Sequence, residues 1–189
     1  MSSDQATTGA GPPTANDEGR TLRDYLPADS MPDGPKGIGG WLILQALGLI
    51  LTPFVIGYQL YRGLPLLAPE TWNSLTNSSS PAYHPLWAPF ILIELAANLA
   101  LLAYTLGLIW LFFKKSKRVP TLFIAWLLLL IGVQLVDFLL AGRIPAIASS
   151  DTFNRESIRD LIRSLVHAAI WIPYWIRSRR VRNTFTEPV

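Results

Sequence analysis

Long charge-free apolar runs, rather than a short alternation of apolar and polar residues, dominate the chain. Gly37–Tyr61 holds 25 residues without a charged side chain. Leu86–Phe113 holds 28 with Glu94 as its only charge, and Val119–Gly142 holds 24 with Asp137 as its only charge. About 20 apolar residues in a helix cross a bilayer core. Transmembrane helices are therefore predicted at about 37–61, 86–113 and 119–142. A fourth is predicted at about 157–176. There Leu165–Ile176 is strongly apolar, although Arg159, Asp160, Arg163 and His167 interrupt the segment. Pro53 and Pro173 fall inside spans and each removes a backbone hydrogen bond, which predicts bends.

The segments between the runs are polar. Residues 1–36 are rich in Gly, Pro, Ser, Thr, Ala and Asp, with six acidic and three basic side chains. Such a composition buries too little apolar surface to fold alone, so it reads as a disordered acidic tail with marginal helical character at Thr21–Leu26. Arg62–Pro85 reads as a loop whose Leu64–Leu67, Trp72 and Tyr83 suit the interface. Within it, Asn77-Ser78-Ser79 matches a glycosylation acceptor pattern that is too short to weigh. Residues 186–189 form a short C-terminal tail.

Charge sets the orientation. Lys114, Lys115, Lys117 and Arg118 sit in the tight turn between the second and third runs, and Arg177, Arg179, Arg180 and Arg182 follow the fourth. Lysine and arginine mark cytoplasmic edges, so both clusters are read as cytoplasmic membrane anchors. The expected fold is an all-α, four-transmembrane-helix bundle, N-in and C-in, over residues 37–185. The first span is expected to act as an uncleaved signal anchor, because the chain before it is acidic rather than a short basic leader.

Composition agrees with this reading and narrows the chemistry. Half of the 189 residues are hydrophobic and only 15% are charged, against about 25% in soluble domains. The basic pI of about 9.4 comes from clusters abutting apolar runs, which argues against nucleic acid as a partner. With no cysteine, disulfides, thiolate nucleophiles and cysteine metal sites are excluded. The serines Ser149, Ser150, Ser164 and Ser178 lack a nucleophile-elbow context. A metal site needs several ligands, and the two histidines, His84 and His167, lie far apart in the sequence. No metal or cofactor is expected, and His167 is expected to be a hydrogen-bonded core histidine.

The informative residues are the polar ones inside the runs. At about 1.5 Å of rise per residue, Glu94 lies about 12 Å, Asp137 about 8 Å and Arg163 about 9 Å below the outer edge. Asn98 shares a helix face with Glu94, and Gln134 with Asp137. Arg163, His167, Trp171 and Tyr174 also share a face. Ionised groups at such depth are usually paired or functional. The cluster of Glu94, Asn98, Gln134, Asp137, Arg163 and His167 therefore reads either as an internal salt bridge that locks the helices or as a proton-linked site. Arg163 snorkelling to the outer surface is a third reading. On the opposite side of the second run, Ala96, Ala100, Ala103 and Gly107 form a small-residue face of the kind that lets helices pack closely.

Particular motifs carry a resemblance. Gly39-Gly40-Trp41-Leu42 opens the first run. Phe112-Phe113-Lys114-Lys115, continuing to Pro120, closes the second. Trp171-Ile172-Pro173-Tyr174 is followed by Ser178, Arg180-Val181 and Thr184-Phe185. Together they resemble domain-of-unknown-function family 2569 (DUF2569), small four-span bacterial membrane proteins, over roughly residues 37–185. The resemblance implies that topology and a bacterial inner membrane, and it implies no activity or catalytic residue.

The expected function is that of a non-catalytic accessory or scaffold subunit of a membrane complex. Its expected partners are the lipid bilayer and either another membrane protein or a second copy of the chain. The alternative is an oligomeric proton-linked transporter or channel using Glu94, Asp137 and Arg163. An intramembrane enzyme has the least support.

Overall fold

The computed structural model describes residues 34–188; residues 1–33 of the acidic tail, Thr21–Leu26 among them, lie outside these. Helix α1 spans Trp41–Gly63 and runs into a 3-10 turn at Leu64–Leu67. A short α2 follows at Pro69–Thr76, then α3 at Trp87–Phe113 and α4 at Val119–Ala141. The short α5 (Pro145–Ala148) precedes α6, Asp151–Arg177, and α7 closes the set at Arg179–Thr184. Three of these segments are long and apolar enough to cross a membrane: Trp41–Leu67, Trp87–Phe113 and Val119–Ala141.

Several sequence expectations need correction. The first helix starts at Trp41 rather than Gly37, because Gly37 and Gly40 take positive φ values of 85° and 56°, a region open chiefly to glycine. Gly39 is constrained differently: the Arg180 guanidinium occupies the space a Cβ would need. The presumed loop Arg62–Pro85 contains the 3-10 turn and α2, each opened by a proline at its first turn, where the missing N–H costs nothing. The last long helix begins at Asp151, six residues before the predicted start at Ser157, because the Ser150 hydroxyl accepts a hydrogen bond from the Phe153 amide (3.3 Å) and caps it. Nor do residues 186–187 form a free tail: the Glu187 backbone exchanges hydrogen bonds with Lys115 and Lys117 (3.2 and 3.0 Å).

Neighbouring helices pack in the order α1, α3, α4, α6. Helix α6 lies along α4 over nearly its whole length. Phe153 stacks on Phe138 at one end, Ser164 meets Gln134 in the middle, and Trp175 stacks on Phe123 at the other. Two apolar clusters hold the helices. The larger lies at the end bearing the Lys114–Arg118 turn, here the basic end. It joins Leu42, Ala46 and Leu49 of α1 to Leu108 and Phe112, Phe123 and Trp126, Trp171 and Trp175, with Val181 and Phe185 closing it from below. The smaller, at the far end, gathers Phe90, Ile91, Ala141 and Ile144, with Trp72, Leu75 and Phe153 packed against it.

Helices in hydrocarbon gain little from burying apolar surface against one another, so shape and interhelical hydrogen bonds decide their association. Two such bonds tie α3 to α4. The Tyr104 hydroxyl donates to the Leu122 carbonyl (2.9 Å). The Trp126 indole N–H donates to Thr105 Oγ1 (2.9 Å), and that hydroxyl donates in turn to the Leu101 carbonyl (2.7 Å). Thr105 is wholly buried. Thr105→Val keeps the shape and strands the indole N–H, so a loss of about 1–3 kcal/mol is expected. Thermal unfolding in detergent checks this, and Thr105→Val/Trp126→Phe is expected to cost less than the sum of the two single changes.

Candidate functional site

Between the two apolar clusters the helices do not close. A cleft of about 600 Å³ runs among α1, α3 and α4, within the roughly 300–1,000 Å³ of small-molecule sites. Its walls are mostly apolar. The polar side chains on them are Thr52 and Gln59 of α1, Glu94 and Asn98 of α3, and Gln134 and Asp137 of α4. The i, i+4 spacing of Glu94 and Asn98 and the i, i+3 spacing of Gln134 and Asp137 bring each pair to the inner face of its helix. Four of the six residues grouped from sequence therefore do meet in one space.

Two smaller spaces adjoin it. A polar vestibule of about 350 Å³ is lined by Gln59, Gln134 and Asp137 together with Ser157, Asp160, Arg163 and Ser164 of α6. An apolar gap of about 200 Å³ between α1 and α3 shares Gln59, Glu94 and Asn98 with the cleft. Gln59 borders all three, and the sequence reading missed it. Its signal was modest: it is a carboxamide close to the end of an otherwise apolar run. Ser164 was noted only as a serine without catalytic context, yet its hydroxyl donates to Gln134 Oε1 (3.0 Å) and links α6 to α4.

The charge arrangement departs from the expected internal salt bridge. Arg163 pairs with Asp160 one turn away on its own helix (3.1 Å), and both side chains are about two-thirds exposed. Among the described residues neither Glu94 nor Asp137 is ion-paired. The nearer, solvent-accessible carboxylate wins the guanidinium because pairing there needs no desolvation of either partner. Within the cleft, Asn98 donates to the Glu94 backbone carbonyl (3.0 Å).

The remaining predicted residues scatter. His167 is exposed rather than a core histidine, because Ala168 is the α6 residue turned inward at that level. Its ring lies 6.0 Å from that of Trp171. Trp171 in turn meets Trp41 edge-on at 5.9 Å. This aromatic contact closes the seam between α1 and α6 at the basic end, and the vestibule lies between the same helices toward the far end. Ala96, Ala100, Ala103 and Gly107 are all exposed along α3. The eight anchor residues gather at the basic end. The backbone bridge between Ser116 and Glu187 holds the C-terminal segment against the turn, Lys114 Nζ sits 4.4 Å above the Trp110 ring, and Arg182 donates to the Arg177 carbonyl (3.4 Å).

No solved structure matches the chain. A protein from Escherichia coli strain K12 named "Inner membrane protein YdgK" is 33% identical over 156 residues, covering 82% of this chain and 97% of that one. With this relative and three helices able to span a bilayer, the chain is a multi-pass inner-membrane protein. The family described as "Protein of unknown function (DUF2569)" matches residues 35–186. The Gly-Gly-Trp-Leu, Phe-Phe-Lys-Lys and Trp-Ile-Pro-Tyr motifs lie inside that range, and the chain belongs to the DUF2569 family.

Proposed function

We propose that the protein is a non-catalytic four-span subunit of the inner membrane, N-in and C-in, whose cleft receives a cationic group brought by a partner or ligand. One observation carries this reading: Glu94 and Asp137 face a largely apolar space at membrane depth without a counter-cation from the described chain. Carboxylates half-buried among apolar walls are favoured when paired, and a neighbour supplies the missing charge. The exposed Ala96–Gly107 face of α3 gives an accessory subunit a second surface for close helix contact.

Two features support the fourth span. Helix α6 has 27 residues, about 40 Å at helical rise, and it follows α4 from Phe138 to Phe123. A neighbour of a spanning helix over such a length shares its passage. Its exposed side chains Ile158, Ile162, Val166 and Ile170 suit lipid contact, while Arg159 and Asp160 sit near the outer headgroups. The attachment of Glu187 to the Lys115–Lys117 turn supports placing both basic clusters on one side of the membrane. The positive-inside rule makes that side cytoplasmic.

Proton-linked transport is the second reading, favoured by the polar vestibule that leads to Asp137. In reconstituted vesicles, Glu94→Gln/Asp137→Asn at normal abundance with lost pH-dependent flux would establish it. Unchanged flux would remove it.

The chain has no cysteine, so single cysteines report topology cleanly. With an impermeant maleimide on intact spheroplasts, Ser79→Cys is expected to label at once and Thr186→Cys only after permeabilisation. A three-span chain would expose both. The cation-binding role is tested by purification in mild detergent followed by mass spectrometry. The wild type is expected to retain a bound partner or ligand that Glu94→Gln/Asp137→Asn loses at unchanged helix content. A wild-type chain carrying no such carboxylate-dependent component overturns the reading.

A further inference from the structure

The cleft and vestibule together display an ordered set of charges. Glu94 and Asp137 lie inward among apolar walls, and Arg163 lines the vestibule that Asp137 also borders. Asp160 engages one guanidinium nitrogen of Arg163 (3.1 Å), and a guanidinium carries five N–H donors in a fork suited to phosphate. An occupant complementary to this order carries a cation at its tip, an anion a few ångströms behind it, and hydrocarbon.

A bare metal ion fits poorly. Hard cations take six or more oxygen ligands or keep several waters, whereas most of this lining is hydrocarbon: Val55, Ile56, Leu101, Leu130 and Val133 among others. Purely anionic amphiphiles meet two carboxylates. An uncharged chain leaves the carboxylates without a partner. We propose that the occupant is a zwitterionic aminophospholipid from the surrounding bilayer. Its phosphate sits on Arg163 in the vestibule, its ammonium reaches inward to Asp137 and Glu94, and a chain lies against the apolar walls of the cleft. The seam between α1 and α6 is shut at the basic end by Trp41 and Trp171, so the lipid enters from the leaflet on the opposite side. This rests on the cation-receiving cleft proposed above and names the chemistry it receives.

The full chain, placed in nanodiscs of mixed phosphatidylethanolamine and phosphatidylglycerol with matched acyl chains, is released and weighed by native mass spectrometry. Phosphatidylethanolamine is expected to be retained about tenfold over phosphatidylglycerol. Glu94→Gln/Asp137→Asn is expected to abolish that preference, and Arg163→Gln to weaken it. Gly132→Leu provides a control that keeps every charge. Gly132 lines the cleft, and a Cβ there meets nothing within 4 Å, so a leucine fills the space and is expected to displace the lipid without unfolding α4. Equal retention of both lipids, or a preference that survives both the carboxamide pair and Gly132→Leu, overturns the proposal. So does dodecylammonium, an amine without phosphate, binding as tightly as the phospholipid. If a different carboxylate-dependent component is retained, the lipid assignment falls and the cation-receiving cleft stands; if nothing is retained, both fall.

Discussion

The aromatic cluster at the basic end is the contact on which the rest of the arrangement depends. Phe123 and Trp175 stack with ring centroids 4.4 Å apart; Phe112 and Phe185 close on Trp175 at 6.4 and 5.5 Å and meet each other at 5.2 Å. Each ring comes from a different segment: α4, α6, α3 and the stretch after α7. Offset and edge-on aromatic pairs add about 0.5–1.5 kcal/mol each beyond the area they bury. In hydrocarbon, where apolar burial drives little association, such shape-specific contacts carry unusual weight. Because this end is tied, the other half can leave space between α1 and α6 without the helices drifting apart.

That division of labour explains why the polar residues are where they are. The tied end is largely apolar: Thr105 and Ser116 are hydrogen-bonded, and the buried Trp175 indole N–H has no partner among the described residues. The far cluster around Phe90 and Ile144 closes the other end of the cleft with help from α2 and α5. Polar side chains then fall in the layer between, where packing is loosest and a carboxylate meets neither a tight wall nor bulk lipid. A membrane-embedded ionisable group is expensive, and these carboxylates sit where the walls are least tightly packed.

Much of this was legible in the sequence, for identifiable reasons. The second and third runs became α3 and α4 within a residue or so, because a long apolar run in a membrane chain leaves the backbone only its own hydrogen bonds. The grouping of Glu94 with Asn98 and Gln134 with Asp137 followed from helical periodicity alone. What escaped depended on contacts distant in sequence or on single-residue geometry. The start of α1 turns on the positive φ of Gly40. The start of α6 turns on the Ser150 cap, hidden behind a charged first half. Depth alone left Arg163 open between the deep carboxylates and the outer surface, and the structure pairs it with Asp160 one turn away and closer to water. Gln59 looked ordinary at the end of a run, and its importance appears only once three spaces are seen to share it.

The contact between Arg180 and Gly39 has a consequence for substitution at the start of the first helix. A Cβ at position 39 would meet the guanidinium, the mobile end of a long side chain, so a larger residue there displaces Arg180 rather than the start of α1. The hinge of glycines at the first helix is thereby tolerant at its middle position and strict at Gly37 and Gly40, whose backbones take positive φ.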